Sequence, residues 1–142
     1  MVKFVQANAL YIAFMQALSA TLGSLFFSEV LLFPPCVLCW YQRIAMYPLV
    51  VILAVGIYTQ DKHVIRYVLP LSVVGLLIAF YHNLLYYHFL PESAAPCILG
   101  VSCTTRQVEW FGFITIPLLS FIAFAIITIS MLLYRSYLKK QS

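Results

Sequence analysis

Apolar side chains along this chain fall into four long runs that are separated by short polar breaks. The runs cover approximately residues 10–27, 40–58, 67–87 and 111–134. Each is close to the roughly 20 residues that an α-helix needs to cross the hydrocarbon core of a bilayer. Because backbone groups inside hydrocarbon must be hydrogen-bonded within the chain, the runs are predicted to be helices. The pattern predicts an all-α membrane protein, a four-transmembrane-helix bundle that forms a single domain over residues 1–142.

The composition strengthens the membrane assignment. Apolar residues make up 64% of the chain and charged residues 8%, against about 45–50% and about 25% in ordinary soluble domains. A soluble fold of 142 residues would be unable to bury so much apolar surface, so the chain is predicted to lie among membrane lipids. The first run continues through Leu25-Phe26-Phe27, beyond the usual apolar segment of a signal peptide, and we expect an uncleaved membrane helix.

The positions of lysine and arginine predict the orientation of the helices. In a four-pass arrangement, one side of the membrane carries most of these cations: Lys3, Lys62, Arg66, Arg135, Lys139 and Lys140. Only Arg43 and Arg106 fall on the other side. The net charge of +4 is therefore a topology signal and does not indicate nucleic-acid binding. The positive-inside rule predicts cytoplasmic termini in a multi-pass protein of the cell (plasma or inner) membrane, with all four cysteines in extracytoplasmic segments that permit disulfides.

The second apolar run opens with the segment Pro34-Pro35-Cys36-Val37-Leu38-Cys39. Proline is tolerated at the entrance of a helix but not in its interior, so a helix is predicted to start at or just before Cys36. Cys36, Cys39 and Arg43 then share one face of that helix. A helix N-terminus and a nearby cation both stabilise a thiolate. The segment therefore indicates redox chemistry by a dithiol at the membrane surface.

A second pair of cysteines, Cys97 and Cys103, lies in the long outer loop of residues 88–110. Structural disulfides are one interpretation, although such small loops remove little entropy from the unfolded chain. A zinc site is another, although Cys-x5-Cys is an unusual half of such a site. Thiol–disulfide exchange explains more, because it needs a thiolate, an accessible sulfur and a good leaving group. Electrons would enter at the loop pair, pass to the pair Cys36–Cys39 and leave to a two-electron acceptor in the bilayer, for which a quinone is the obvious candidate.

Arg43 bears on where that acceptor binds. A cation just inside the membrane boundary is costly and usually has a function. One turn after Cys39, its guanidinium is placed to favour the Cys39 thiolate and to bond a quinone oxygen as negative charge develops there. The alternative is an arginine that extends to the lipid headgroups.

Polar residues and prolines within the helices give weaker signals. His82, near the outer end of the third helix, either contacts the quinone, relays a proton, or is hydrogen-bonded between helices, which is the simplest interpretation. Pro70 and Pro117 are expected to mark the starts of the third and fourth helices. Four polar residues of the first helix are expected to make helix–helix contacts and not a site: Gln16, Ser19, Thr21 and Ser24.

The two cysteine-bearing segments resemble those of the DsbB family of membrane thiol-disulfide oxidoreductases, in particular its shorter BdbC-like members. The resemblance rests on two segments, Cys36-Val37-Leu38-Cys39-Trp40-Tyr41-Gln42-Arg43 and Cys103-Thr104-Thr105-Arg106-Gln107, the second followed by Phe111-Gly112 and Pro117. It implies a quinone-dependent protein-disulfide oxidoreductase that re-oxidises a thioredoxin-like thiol oxidase, similar to DsbA or BdbD, outside the membrane. The electrons would pass to menaquinone or ubiquinone, and the protein would support disulfide bond formation in exported proteins.

The resemblance also implies a role for each cysteine. Cys97 would form the mixed disulfide with the partner, and Cys103 would resolve it and exchange with Cys36. Cys39 would be the thiolate that faces the quinone, with Arg43 beside it. Only five residues separate the loop cysteines, fewer than in better-known members, so the order of exchange between them stays open. Two alternative functions stay open. The chain could be a quinone or quinone-epoxide reductase of related architecture, or a non-catalytic membrane subunit with structural disulfides.

Overall fold

The structure is a computed structural model that describes residues 4, 8–30, 32, 37–87, 89, 91, 109–110 and 114–141. Cys36, Cys97, Cys103 and Arg106 lie outside these ranges. The proposed pairs Cys36–Cys39 and Cys97–Cys103 therefore stay predictions, whereas Cys39 and the helices that surround it are described.

Four long helices make up the described part of the chain. Helix α1 covers Ala9–Leu25 and continues as a π-helical turn over Phe26–Val30. Helix α2 covers Val37–Thr59, and a 3₁₀ turn at Lys62–Val64 leads into α3, Ile65–Tyr86. Helix α4 covers Ile116–Gln141. All four are long and apolar enough to cross a membrane, which confirms the predicted four-helix membrane protein.

The fourth helix differs from its apolar run at both ends. Strands β1 (Glu109–Trp110) and β2 (Ile114–Thr115) form a short antiparallel pair where the helix was expected to begin. Ile114 and Thr115 are β-branched residues that suit a strand. A count of apolar residues does not distinguish a strand from a helix. At the other end α4 runs on to Gln141, through the polar and basic residues that follow the apolar run.

Two prolines were predicted to mark helix starts, and the structure agrees for Pro117 but not for Pro70. Pro117 is the second residue of α4, as expected for a proline near a helix start. Pro70 does not mark the start of α3, because that helix begins at Ile65 and contains the proline. A proline inside a membrane helix removes one backbone hydrogen bond, which neighbouring groups in the bundle can compensate.

The helices form a closed ring in which each packs against its neighbours in sequence and α4 packs against α1. Their common core contains Leu49, Leu53, Ile127 and Phe124, all almost completely buried. Helices α3 and α4 approach closely at Gly75, because a Cβ atom there would overlap the ring of Phe124. This packing fixes Phe124, which also forms part of a cavity wall described below.

The outward faces of the helices are apolar and exposed, as a lipid-facing surface requires. Ile44, Val51 and Leu77 are each more than 60% exposed.

The bundle has two ends: the Cys39 end, where α2 begins and α3 finishes, and the Asp61 end, where α2 finishes and α3 begins. The Asp61 carboxylate accepts a hydrogen bond from the backbone N–H of His63 at 2.8 Å and caps the turn between these helices.

Candidate functional site

Cys39 lies in the first turn of α2 and is half-buried. It packs against a small apolar cluster made by Leu38 of the same helix and Leu85 of α3, together with Ile78 and Tyr81. The first described turn of α2 therefore sets Cys39 at the seam between α2 and α3. The sulfur is held by helix packing and not on a free loop.

A cavity of about 390 Å³ opens beside Cys39, between α1, α2 and α4. Its apolar wall includes Met46, Ala123 and Phe124, which are almost fully buried. Cys39 and Arg43 both line it, so the structure brings these two predicted site residues to one space. The cavity falls in the range of about 300–1,000 Å³ that is usual for small-molecule sites, and its lining combines apolar side chains with polar ones.

Arg43 is fixed at the wall of this cavity by three contacts. Its Nε donates a hydrogen bond to Ser24 Oγ at 2.9 Å, and its Nη2 donates to the Ser24 carbonyl oxygen at 3.1 Å. The guanidinium carbon lies 5.4 Å from the centre of the Trp40 ring, within the distance of a cation–π contact. The side chain thus joins α2 to α1 and holds a positive charge within the bundle, one turn after Cys39.

His82 is 2% exposed and does not line the cavity. Its Nδ1 accepts a hydrogen bond of 2.9 Å from Nε2 of Gln42, a buried residue of α2. This is the hydrogen-bonded histidine between helices that the sequence favoured. Gln42 does line the cavity, so its hydrogen bond connects His82 to that space.

Comparison with known proteins gives the chain a family. The family model described as "Disulfide bond formation protein DsbB" matches residues 6–134. The chain belongs to the DsbB family. Disulfide bond formation protein C of Bacillus subtilis (strain 168) is 48% identical over 128 residues, which cover 89% of this chain and 91% of that protein. No solved structure matches.

Other relatives of this DsbB-family chain carry similar names. Probable disulfide formation protein C of Halalkalibacterium halodurans is 46% identical over 126 residues, covering 89% of this chain and 92% of that protein. Probable disulfide formation protein of Metapseudomonas resinovorans is 44% identical over 129 residues, covering 90% of each. The family and the four spanning helices together make the chain a multi-pass membrane protein whose family name implies disulfide oxidoreductase activity.

The sequence missed the contribution of α1 to the site of this DsbB-family protein. Gln16, Ser19 and Ser24 were expected to make helix–helix contacts only, but all three line the cavity. Ser24 does both, since it also accepts the hydrogen bonds of Arg43. The sequence signal for a shared role was the spacing of these three residues at i, i+3 and i+8, which places them on one face of α1. That face alone did not reveal which partner helix it meets.

A metal centre has no support in the described part of this DsbB-family chain. Within those ranges, no group of three or more histidine, cysteine, aspartate or glutamate residues is arranged to hold a metal ion. Three of the four cysteines lie outside the described ranges, so this observation concerns Cys39 and its surroundings only.

Proposed function

We propose that this DsbB-family protein is a membrane disulfide oxidoreductase that re-oxidises an extracytoplasmic thioredoxin-like thiol oxidase and passes the electrons to a membrane quinone. The observation that carries the proposal is that Cys39 and Arg43 line one apolar-walled cavity between membrane-spanning helices. The names of the relatives, which refer to disulfide formation, support this direction over a quinone reductase. Both termini would be cytoplasmic, and the cysteine-bearing segments would face outward.

The thiol chemistry would proceed by two exchanges that conserve electrons. In the first, the dithiol of the partner reduces the disulfide Cys97–Cys103 and becomes a disulfide itself. In the second, the resulting loop dithiol reduces Cys36–Cys39 and is re-oxidised. Each exchange passes through a mixed disulfide and moves two electrons with two protons. The pair Cys36–Cys39 would then hold both electrons, with Cys39 at the wall of the cavity.

The residues around the cavity fit a quinone. Met46, Ala123 and Phe124 offer an apolar surface for a flat ring, and Arg43 and Gln42 offer hydrogen-bond donors for its oxygens. A menaquinone or ubiquinone bound there would accept two electrons and two protons. Cys39 would face it as a thiolate, because the Arg43 guanidinium favours negative charge on the sulfur in a medium of low dielectric constant.

Gln42 and His82 would serve this site together. The Gln42 amide lines the cavity and gives one N–H to His82, which leaves its oxygen and its second N–H for other partners. His82 would therefore act as a positioning residue for Gln42, and not as a direct contact of the quinone. This differs from direct quinone binding by His82, one of the roles expected from the sequence.

The purified protein, mixed with a reduced thioredoxin-like oxidase and a soluble quinone without oxygen, tests the proposal. We expect quinone absorbance to fall continuously, with one quinone consumed for each disulfide formed in the partner. Reactions that lack the protein or the partner serve as controls. No consumption above these controls would contradict the proposal, and quinone consumption without any disulfide in a protein partner would favour the reductase alternative.

Arg43→Gln is expected to weaken quinone binding while thiol exchange with the partner continues. A hydrogen bond to a charged group contributes about 1.5–3 kcal/mol, so the KM for quinone should rise by roughly tenfold to a hundredfold. Arg43→Lys keeps the charge but loses the two-point contact with Ser24. Its KM for quinone should lie between those of the wild type and Arg43→Gln. Quinone titrations give KM, and trapping of partner thiols gives the exchange rate. An unchanged KM in Arg43→Gln would remove Arg43 from the quinone site.

A further inference from the structure

A second cavity lies at the Asp61 end of the bundle, at the opposite end from Cys39. It has a volume of about 480 Å³ and is lined by the 3₁₀ turn, the start of α3 and the end of α4. Its lining residues are Lys62, His63, Ile65, Arg66, Leu69, Pro70 and Arg135. The disulfide chemistry proposed above uses none of them.

The rim of this cavity is cationic. Lys62, Arg66 and Arg135 are all exposed, and the packing of α3 against α4 brings the two arginines together from distant parts of the chain. Asp61 is nearby in sequence, but its carboxylate caps the turn through the backbone N–H of His63. Among the residues that the structure describes, no carboxylate forms an ion pair with any of the three cations. The rim therefore keeps a positive excess for an external anion, with three cations against the single carboxylate of Asp61.

The floor of the cavity is apolar, and its position suits a lipid. Ile65 is 8% exposed, and Leu69 and Pro70 extend the apolar surface toward the middle of the membrane-spanning segment. The third span begins at Lys62, so the cavity lies where the apolar span meets its charged end. A free phosphate ion would satisfy the rim but would leave the floor uncovered. A molecule with both a phosphate and an acyl chain would cover both.

We propose that this cavity binds an anionic phospholipid. Arg66 and Arg135 hold its phosphate with their planar guanidinium groups, which match phosphate geometry, and Lys62 adds a third charge. An acyl chain lies along Leu69 and Pro70. The lipid bridges α3 and α4 at the end of the bundle opposite Cys39, so its binding is separable from the chemistry at Cys39.

Native mass spectrometry of the purified protein tests this site with phosphatidylglycerol and phosphatidylcholine of the same acyl chains. We expect phosphatidylglycerol to bind more tightly. The double variant Arg66→Gln/Arg135→Gln should bind it at least about 100-fold more weakly, since each hydrogen bond between charged groups contributes about 1.5 kcal/mol or more. The control Lys139→Gln/Lys140→Gln removes the same charge at the same end without touching the cavity, and should bind as the wild type does.

Equal binding of both lipids by the wild type would overturn the proposal, and so would equal losses in the two double variants, which would indicate a diffuse surface charge. Inorganic phosphate at matched concentration forms another arm, and complete displacement of phosphatidylglycerol by it would assign the site to a free anion. The wild type provides a test that needs no substitution. Higher salt should weaken binding of phosphatidylglycerol but not of phosphatidylcholine, and an absence of salt dependence would contradict an electrostatic site.

Discussion

Cys39→Ser is expected to abolish catalytic quinone reduction while leaving one round of thiol exchange with the partner. The serine keeps the size of the side chain in its packed position beside Leu85 but cannot form a disulfide with Cys36. Electrons from the partner would reduce the loop pair once and then have no route into the cavity. Turnover should fall by on the order of a thousandfold or more, as when other enzymes lose a nucleophile.

Two measurements on the same sample separate this outcome from unfolding. Quinone absorbance gives turnover, and alkylation of partner thiols gives the number of disulfides made, which should not exceed one per protein. Ile44→Ala, on the exposed face of the same helix, is the control and should turn over as the wild type does. Wild-type quinone consumption by Cys39→Ser would show that Cys39 is not the final thiol donor.

The helices were predictable because membrane helices depend on long apolar runs and on little else. Each of the four runs forms a long helix over most of its length, whereas the predicted start of α2 at Cys36 lies outside the described residues. The predicted helix boundaries were inaccurate where a property other than apolarity decides where a helix begins or ends. Ile114 and Thr115 belong to a strand although the apolar run includes them, and α4 continues past that run to Gln141.

The site was predictable only along one helix. Cys39 and Arg43 are four residues apart on α2, so helical spacing was enough to bring them together. Ser24 is 19 residues away from Arg43 in sequence and meets it only because α1 packs beside α2. The same holds for Gln42 and His82, which lie 40 residues apart. Contacts between helices depend on which faces meet, and a single sequence does not reveal this.

Gly23→Phe is expected to block the quinone site without touching a cysteine or Arg43. Gly23 lines the cavity, and a Cβ atom added there would meet no atom within 4 Å, so the empty space begins at the backbone of α1. A phenyl ring would occupy the volume that a quinone ring needs. We expect kcat/KM for quinone to fall by at least about tenfold, a loss of roughly 1.4 kcal/mol of transition-state binding.

The stability of this variant distinguishes occlusion from misfolding. Phenylalanine is a better helix former than glycine, so Gly23→Phe should unfold at the same temperature as the wild type or above it. Leu22→Phe adds the same ring at the adjacent position, where the side chain is 58% exposed, and should leave quinone kinetics unchanged. Gly23→Ala adds only a methyl group and should have a small effect. If Gly23→Phe kept full quinone turnover with an unchanged KM, the quinone would have to bind outside this cavity, and Cys39 would have to deliver its electrons on another face of α2.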